Sequence, residues 1–374
     1  MAPGSCTQCR LHLQRTKVVN GEGKHYDQPI MLVGEAPGRE EDRAGRPFVG
    51  GAGRVLNALL SDAGIARTDC YVTNICRCRP PNNRAPELDE ILSCQDYLTE
   101  EIKRVNPRII VALGDTASSI LGGRSTNIYR GAVVDGAGPA FGRPVLITYH
   151  PAFVMRMRSM FPVVAWDLRK AKTYEKTTVQ EEYSYTPTRA EIISTFQHIR
   201  ENDLPVAVDI ETAADKEEGG KDDALDPYTG EIIGIAFAWG KGKAMQLDAS
   251  TMIHNWDVVK EFLSSHTKQI YANQLFDRTF IAVQKQTPSH CWWDVQDAMG
   301  LIYSPLPRKL DFLRSIYTDI APYKDVYKAA AGGKYRPEKL SALELARLNC
   351  LDVDVTLQVQ QAQVGYIPEA TIDF

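Results

Sequence analysis

Three groups of residues have the types and spacing for chemistry. Glu35 and His150 stand just past short apolar runs and Asn74 lies at the end of a strand-like stretch, so a carboxylate, an amide and an imidazole could share one crevice. Six of the eight cysteines lie within the first 94 residues, and Cys6-x2-Cys9 with Cys78-x15-Cys94 supplies four thiolates. Without a secretion signal, that clustering points to a metal or cluster site rather than to disulfides. On spacing alone, zinc and an iron–sulfur cluster both remain open. Cys76, two residues from Cys78, reads as a core residue. The third group is acidic. Asp209 and Glu211 sit two apart in "VAVDIET", Asp277 lies in "YANQLFDRTFI", and Asp352 and Asp354 lie in "LNCLDVDVTLQV". Residues two apart on a strand share a face, and like charges side by side call for a divalent cation.

The elements that must position these groups follow from hydrophobic period. Apolar runs at 30–33, 70–76, 109–113 and 145–149 read as buried strands, and "GRVLNALLSDAG", "ELDEILSCQDYLTEEIKRV" and "DTASSILGG" between them have helical spacing. Alternating strands and helices predict a parallel sheet covered on both faces, with function at the C-terminal strand ends. Residues 174–188 lack a sustained period and read as a linker. Beyond it, 205–211, 231–239 and 243–247 read as successive strands, followed by helices with a short strand at 269–272. The acidic stretch 212–230 reads as a hairpin loop. The chain has 374 residues, 44% hydrophobic and 24% charged, which suits two soluble domains. Its net charge of −4 divides into +6 over residues 1–176 and −10 over 177–374, a basic half suited to a polyanion and an acidic half suited to cations. No run of 18 apolar residues or hydrophobic leader occurs, so neither a membrane span nor secretion is expected.

The stretches "GEAPGREEDRAGRPFVGGAG", "VTNICRCRPPNNRAP" and "YHPAFVMR" resemble the signature segments of family 4 uracil-DNA glycosylases, over roughly residues 4–172. The resemblance implies an α/β/α glycosylase fold with a [4Fe-4S] cluster on Cys6, Cys9, Cys78 and Cys94. It implies that Phe48 stacks on a flipped uracil in a pocket that includes Gly34 and Ala36, and that Asn74 reads the base edge. His150 would donate a hydrogen bond to the uracil O2 as charge develops there. Glu35, or Glu41 as the alternative, would stabilise the sugar or position water, and Arg156 would lie near phosphate. Ala36 stands where family 1 enzymes carry a water-activating Asp, and Gly38 stands where they carry an aromatic.

The acids resemble the DEDD exonuclease superfamily with its RNase H-like fold and mixed sheet, over about 200–365. "QDAMGLIYSPLPRKLDFLRSIY" adds similarity to the proofreading domains of family A DNA polymerases. By this resemblance Asp209, Glu211, Asp277 and Asp352 hold two Mg²⁺ or Mn²⁺ ions, while Asp354 faces elsewhere. The chain departs from the pattern at Leu348, where polymerase-type members have a water-orienting Tyr, and Arg347 stands where the other subclass has His. The organisation expected is a glycosylase domain at 1–173, a linker and lead-in at 174–199, and an exonuclease-like domain at 200–374. The implied substrates are uracil-containing DNA and DNA 3′ ends, in the cytoplasm of a bacterial or virus-infected bacterial cell. The alternative is an accessory subunit of a separately encoded DNA polymerase, with one or both domains mainly binding DNA.

Overall fold

The computed structural model describes residues 2–175, 180–214, 223–330 and 337–367. Of the expected acidic hairpin loop at 212–230, residues 215–222 lie outside them. The chain divides into two units, Met1–Lys176 with Asp319–Ala321, and Thr177–Thr318 with Pro322–Phe374.

The strands of the first unit are β1 (Glu22–Gly23), β2 (Ile30–Gly34), β3 (Cys70–Asn74), β4 (Ile109–Leu113), β5 (Val133–Asp135) and β6 (Pro144–Thr148), in the order β1-β3-β2-β4-β6-β5. The central four are parallel. The sheet is not wholly parallel, because both edge strands run antiparallel. All five residues of β2, β3 and β4 are buried, as strands covered on both faces require. Alternation then sorts them: Ile30 and Leu32 join Leu56, Leu59, Val111 and Leu168 on one face. Met31 and Val33 join Leu98, Ile102, Ile110 and Leu121 on the other. The helix Leu88–Val105 starts at a reciprocal Glu87/Glu90 capping box and stops at Asn106 in the left-handed region (φ 49°).

The second unit contains β7 (Glu182–Ser184), β8 (Val206–Ala214), β9 (Gly230–Gly240), β10 (Lys243–Asp248), β11 (Gln269–Tyr271) and β12 (Trp293–Asp294), in the order β12-β11-β8-β9-β10-β7. The meander β8-β9-β10 is antiparallel, while β11 and β12 continue parallel to β8. This is the mixed sheet of the β-β-β-α-β-α frame expected for an RNase H-like domain. On one face, Phe196 stacks on Phe262 with centroids 3.9 Å apart, and Phe237 meets both edge-on. The helix Ala342–Gln363 packs on β8, β9 and β10. The stretch read as linker is partly structured: β7 pairs with β10, and Arg189–Glu201 is a helix whose Ile192, Phe196 and Ile199 enter the second core. A three-residue strand has no period of its own, and here its partner defines it. No helix among the described residues is long and apolar enough to cross a membrane.

Candidate functional site

The C-terminal ends of β2, β3, β4 and β6 open onto a cleft of about 660 Å³ whose walls include Glu35, Ala36, Phe48, Asn74, His150 and Arg156. Beyond the strands, the Ile75 N–H donates to the Gly34 carbonyl and the Cys76 N–H to the Glu35 carbonyl, so the two turns advance together. Gly34 sits beneath the cleft. A β-carbon there would stand 2.5 Å from the Phe48 ring and 2.6 Å from Asn74 Oδ1, which explains a residue without a side chain.

The four acids after β2 separate by partner. Glu35 accepts a hydrogen bond from the Thr116 hydroxyl. Glu41 is committed to backbone: its Oε1 accepts from the N–H groups of Val49 (3.0 Å) and Gly50 (2.7 Å). Those bonds fix the turn in which Phe48 has φ +50°, a conformation costing about 1–3 kcal/mol unless its surroundings hold it. Asp42 accepts from the N–H of Thr16 at 2.8 Å, tying the N-terminal segment to this loop. Glu40 pairs at the surface with the Arg39 and Arg43 side chains. Glu35, Glu40 and Glu41 all line the cleft, and Glu35 is the one of the three that a hydroxyl from a neighbouring strand end holds there.

His150 caps the helix Pro151–Arg156, and its Nδ1 accepts the Ala152 N–H at 3.1 Å. The ring proton of the neutral imidazole accordingly sits on Nε2. Burial, with Arg156 adding to it, lowers its pKa from the ordinary 6.5 to about 4. The ring lies 5.7 Å from that of Phe48, so a neutral N–H donor and an aromatic face share the cleft.

Cys6, Cys9, Cys78 and Cys94 surround one small cavity. Arg15 donates to Cys78 Sγ at 3.3 Å, and the Tyr97 hydroxyl lies 3.7 Å from Cys6 Sγ. Burial raises the Cys9 and Cys78 thiols, so their thiolates need a cation, and the four-sulfur donor set fits one. The sulfurs ring a space rather than meeting at a point. Among the described residues, the possible metal-ligand atoms within 4.8 Å of one another belong to acids of the second unit. Cys76 is buried in the core with its sulfur against Cys94.

That acidic group is Asp209, Glu211 and Asp352. Asp277 joins it electrostatically, with its Oδ1 accepting the Ile210 N–H at 3.0 Å. Burial and then the neighbouring Asp277, Asp352 and Glu211 hold Asp209 well above the usual carboxylate range. Burial does the same to Asp277. Asp209 and Asp277 together favour added positive charge beyond that of Lys324, and an all-oxygen set suits Mg²⁺ or Mn²⁺. Asp354 faces away, accepting from the Tyr183 hydroxyl (2.7 Å) and the Gly242 N–H (3.2 Å).

Sequence reading missed Thr116, although it lies three residues beyond the end of β4, the one central strand end from which no residue was drawn. It also missed Tyr323 and Lys324. The Tyr323 hydroxyl donates to Asp352 Oδ1, and Lys324 Nζ lies 3.0 Å from Asp352 Oδ2. Nothing in "APYKDVYK" marks either residue.

Residues 21–179 match the uracil DNA glycosylase superfamily. The chain is 47% identical over 176 residues to the type-4 uracil-DNA glycosylase of Thermotoga maritima, covering 46% of this chain and 90% of that one. It is 34% identical over 106 residues to a DNA polymerase of Bacillus phage SP01, 28% of this chain and 11% of that one. The catalytic core of RRP6 from Trypanosoma brucei is similar in structure at 12% identity and a TM-score of 0.40, covering 52% of this chain and 50% of that one. With nine-tenths of a 47%-identical relative spanned by this chain, and the cleft residues converging as described, the chain belongs to the type-4 uracil-DNA glycosylases.

Proposed function

We propose that the first unit removes uracil from DNA by cleaving the N-glycosidic bond, with Glu35, Phe48, Asn74 and His150 as its working residues. The observation that carries this is their convergence on one cleft at the ends of parallel strands. Phe48 offers its face to an extruded uracil, and the Asn74 amide pairs with the base's N3–H and O4. The His150 Nε2–H stabilises charge growing on O2 as the bond to the sugar breaks. Glu35, held by Thr116, faces the electron-poor sugar and positions water. The Glu41 carboxylate instead holds the loop that carries Phe48, and Arg156 meets phosphate. Cys6, Cys9, Cys78 and Cys94 would hold a [4Fe-4S] cluster. Sulfurs that ring a space suit it better than one zinc with Zn–S bonds of about 2.3 Å, and its role here is structural.

The second unit is a 3′-5′ DNA exonuclease in this reading, related to family A proofreading domains. Asp209, Glu211, Asp277 and Asp352 would hold two divalent ions, which when bound activate water and steady the leaving 3′ oxygen. The experiment uses the full chain and uracil-containing DNA labelled at either end, with and without Mg²⁺. Abasic sites without metal together with nucleotide release only with metal support both halves; uracil-DNA left free of abasic sites refutes the first. A second reading, an accessory subunit of a polymerase, is favoured by the similarity to the phage polymerase. Its test is co-purification with a polymerase that lacks an exonuclease.

A further inference from the structure

The helix Ala342–Gln363 carries Asp352, and one turn earlier, on the same face, stands Leu348, fully buried and without a polar atom. A phenolic hydroxyl nevertheless reaches Asp352 from another element. Tyr323 and Lys324 lie at the start of the helix Lys324–Ala330 and engage the two oxygens of Asp352 separately: Tyr323 donates to Oδ1, and Lys324 Nζ stands 3.0 Å from Oδ2. Tyr323 is 8% exposed and Asp352 4% exposed, so the contact is enclosed beside Asp209 and Glu211.

We propose that Tyr323 supplies the water-orienting hydroxyl that position 348 does not, making it a further catalytic residue of the second unit; this rests on the exonuclease reading. The direction of its hydrogen bond gives the reason. With the phenol proton committed to Asp352, the oxygen keeps its acceptor capacity for one O–H of a water. That water's oxygen forms the new bond to phosphorus, and the bond from phosphorus to the 3′ oxygen of the preceding nucleotide breaks. The leaving oxygen takes the electron pair and a proton from solvent, the attacking water loses a proton to solvent, and a nucleoside 5′-monophosphate is released. Tyr323 stays protonated throughout, orienting rather than acting as a base. Lys324 balances charge on Asp352 from the other side, so one dipeptide provides both an orienting group and a counter-charge.

The test uses the full chain, a single-stranded oligonucleotide labelled at its 3′ end, and Mn²⁺ binding measured separately by electron paramagnetic resonance. Tyr323→Phe should lower the rate of nucleotide release about tenfold or more, the scale of one hydrogen bond made to the reacting group. Mn²⁺ affinity and KM should stay within about threefold, inside the usual spread of single contacts. The exchange Tyr323→Leu with Leu348→Tyr, which returns the hydroxyl from the helix, should recover most of the rate. Release by Tyr323→Phe within twofold of the parent overturns the proposal, as does a parallel loss of Mn²⁺ affinity, which would mark Tyr323 as support for a ligand only. A parent that binds Mn²⁺ but releases nothing also overturns it. If the parent binds no Mn²⁺ at all, the exonuclease reading itself falls, a distinct result.

Discussion

Protonation of His150 offers a quantitative test of the glycosylase site. An ordinary histidine, with pKa 6.5, would be about 90% protonated at pH 5.5. His150 is half-buried in the cleft wall, faces the charge of Arg156, and has Nδ1 occupied by the Ala152 N–H. With its pKa lowered to about 4, only about 3% carries a proton at pH 5.5. The unfolded chain therefore binds a proton between pH 6.5 and 4 that the folded chain refuses. The stability His150 contributes is whole above pH 6.5 and is lost as pH falls through 4, by roughly 3 kcal/mol in total. Single-turnover uracil release should accordingly show no His150-dependent inflection between pH 5.5 and 8. Ring-¹⁵N spectra of the histidines should show His150 as the Nε2–H tautomer across that range. His150→Ala should slow release by about 10²-fold, the usual loss for a transition-state donor. An inflection near pH 6.5 that disappears in His150→Gln, or a His150 ring titrating there, would refute the neutral-donor assignment.

Thr116→Val should slow uracil release about tenfold through loss of the hydrogen bond to Glu35, with KM nearly unchanged; Thr116→Ser should retain activity, and an unaffected Val variant would remove Thr116 from the account. Protein prepared without oxygen should be brown and contain iron, and Cys78→Ser should lose it, whereas one zinc and no iron would reject the cluster. Asp209→Ala should abolish metal-dependent nucleotide release while uracil excision continues, and a loss of both activities would contradict the assignment of the two chemistries to separate units. Leu348→Tyr alone should accelerate nucleotide release less than twofold if Tyr323 already supplies the hydroxyl; a gain of about tenfold, the value of one hydrogen bond, would mean that hydroxyl was missing.

What could be read without coordinates was local. The runs at 30–33 and 109–113 declare buried strands because every position is apolar, and Glu35 and Asn74 fall at the strand ends where a parallel sheet exposes function. The helix 88–105 announces its own start through Glu87 and Glu90. β7 did not announce itself, since Glu-Tyr-Ser becomes a strand through pairing with Lys243–Met245, sixty residues on. The sharper limit concerns Glu35 and Glu41, which sequence left as alternatives because both are carboxylates in the same short segment after β2. Tertiary structure separates them: the Glu41 charge is held by the Val49 and Gly50 N–H groups, whereas Glu35 meets a hydroxyl from the next strand end. The same holds for Asp352, whose partners Tyr323 and Lys324 lie twenty-eight or more residues away. Sequence determined which residue types were present and which stretches would be strands. Which carboxylate oxygens remain available for chemistry was decided by hydrogen bonds made across the fold, because a donor distant in the chain leaves no trace in local spacing.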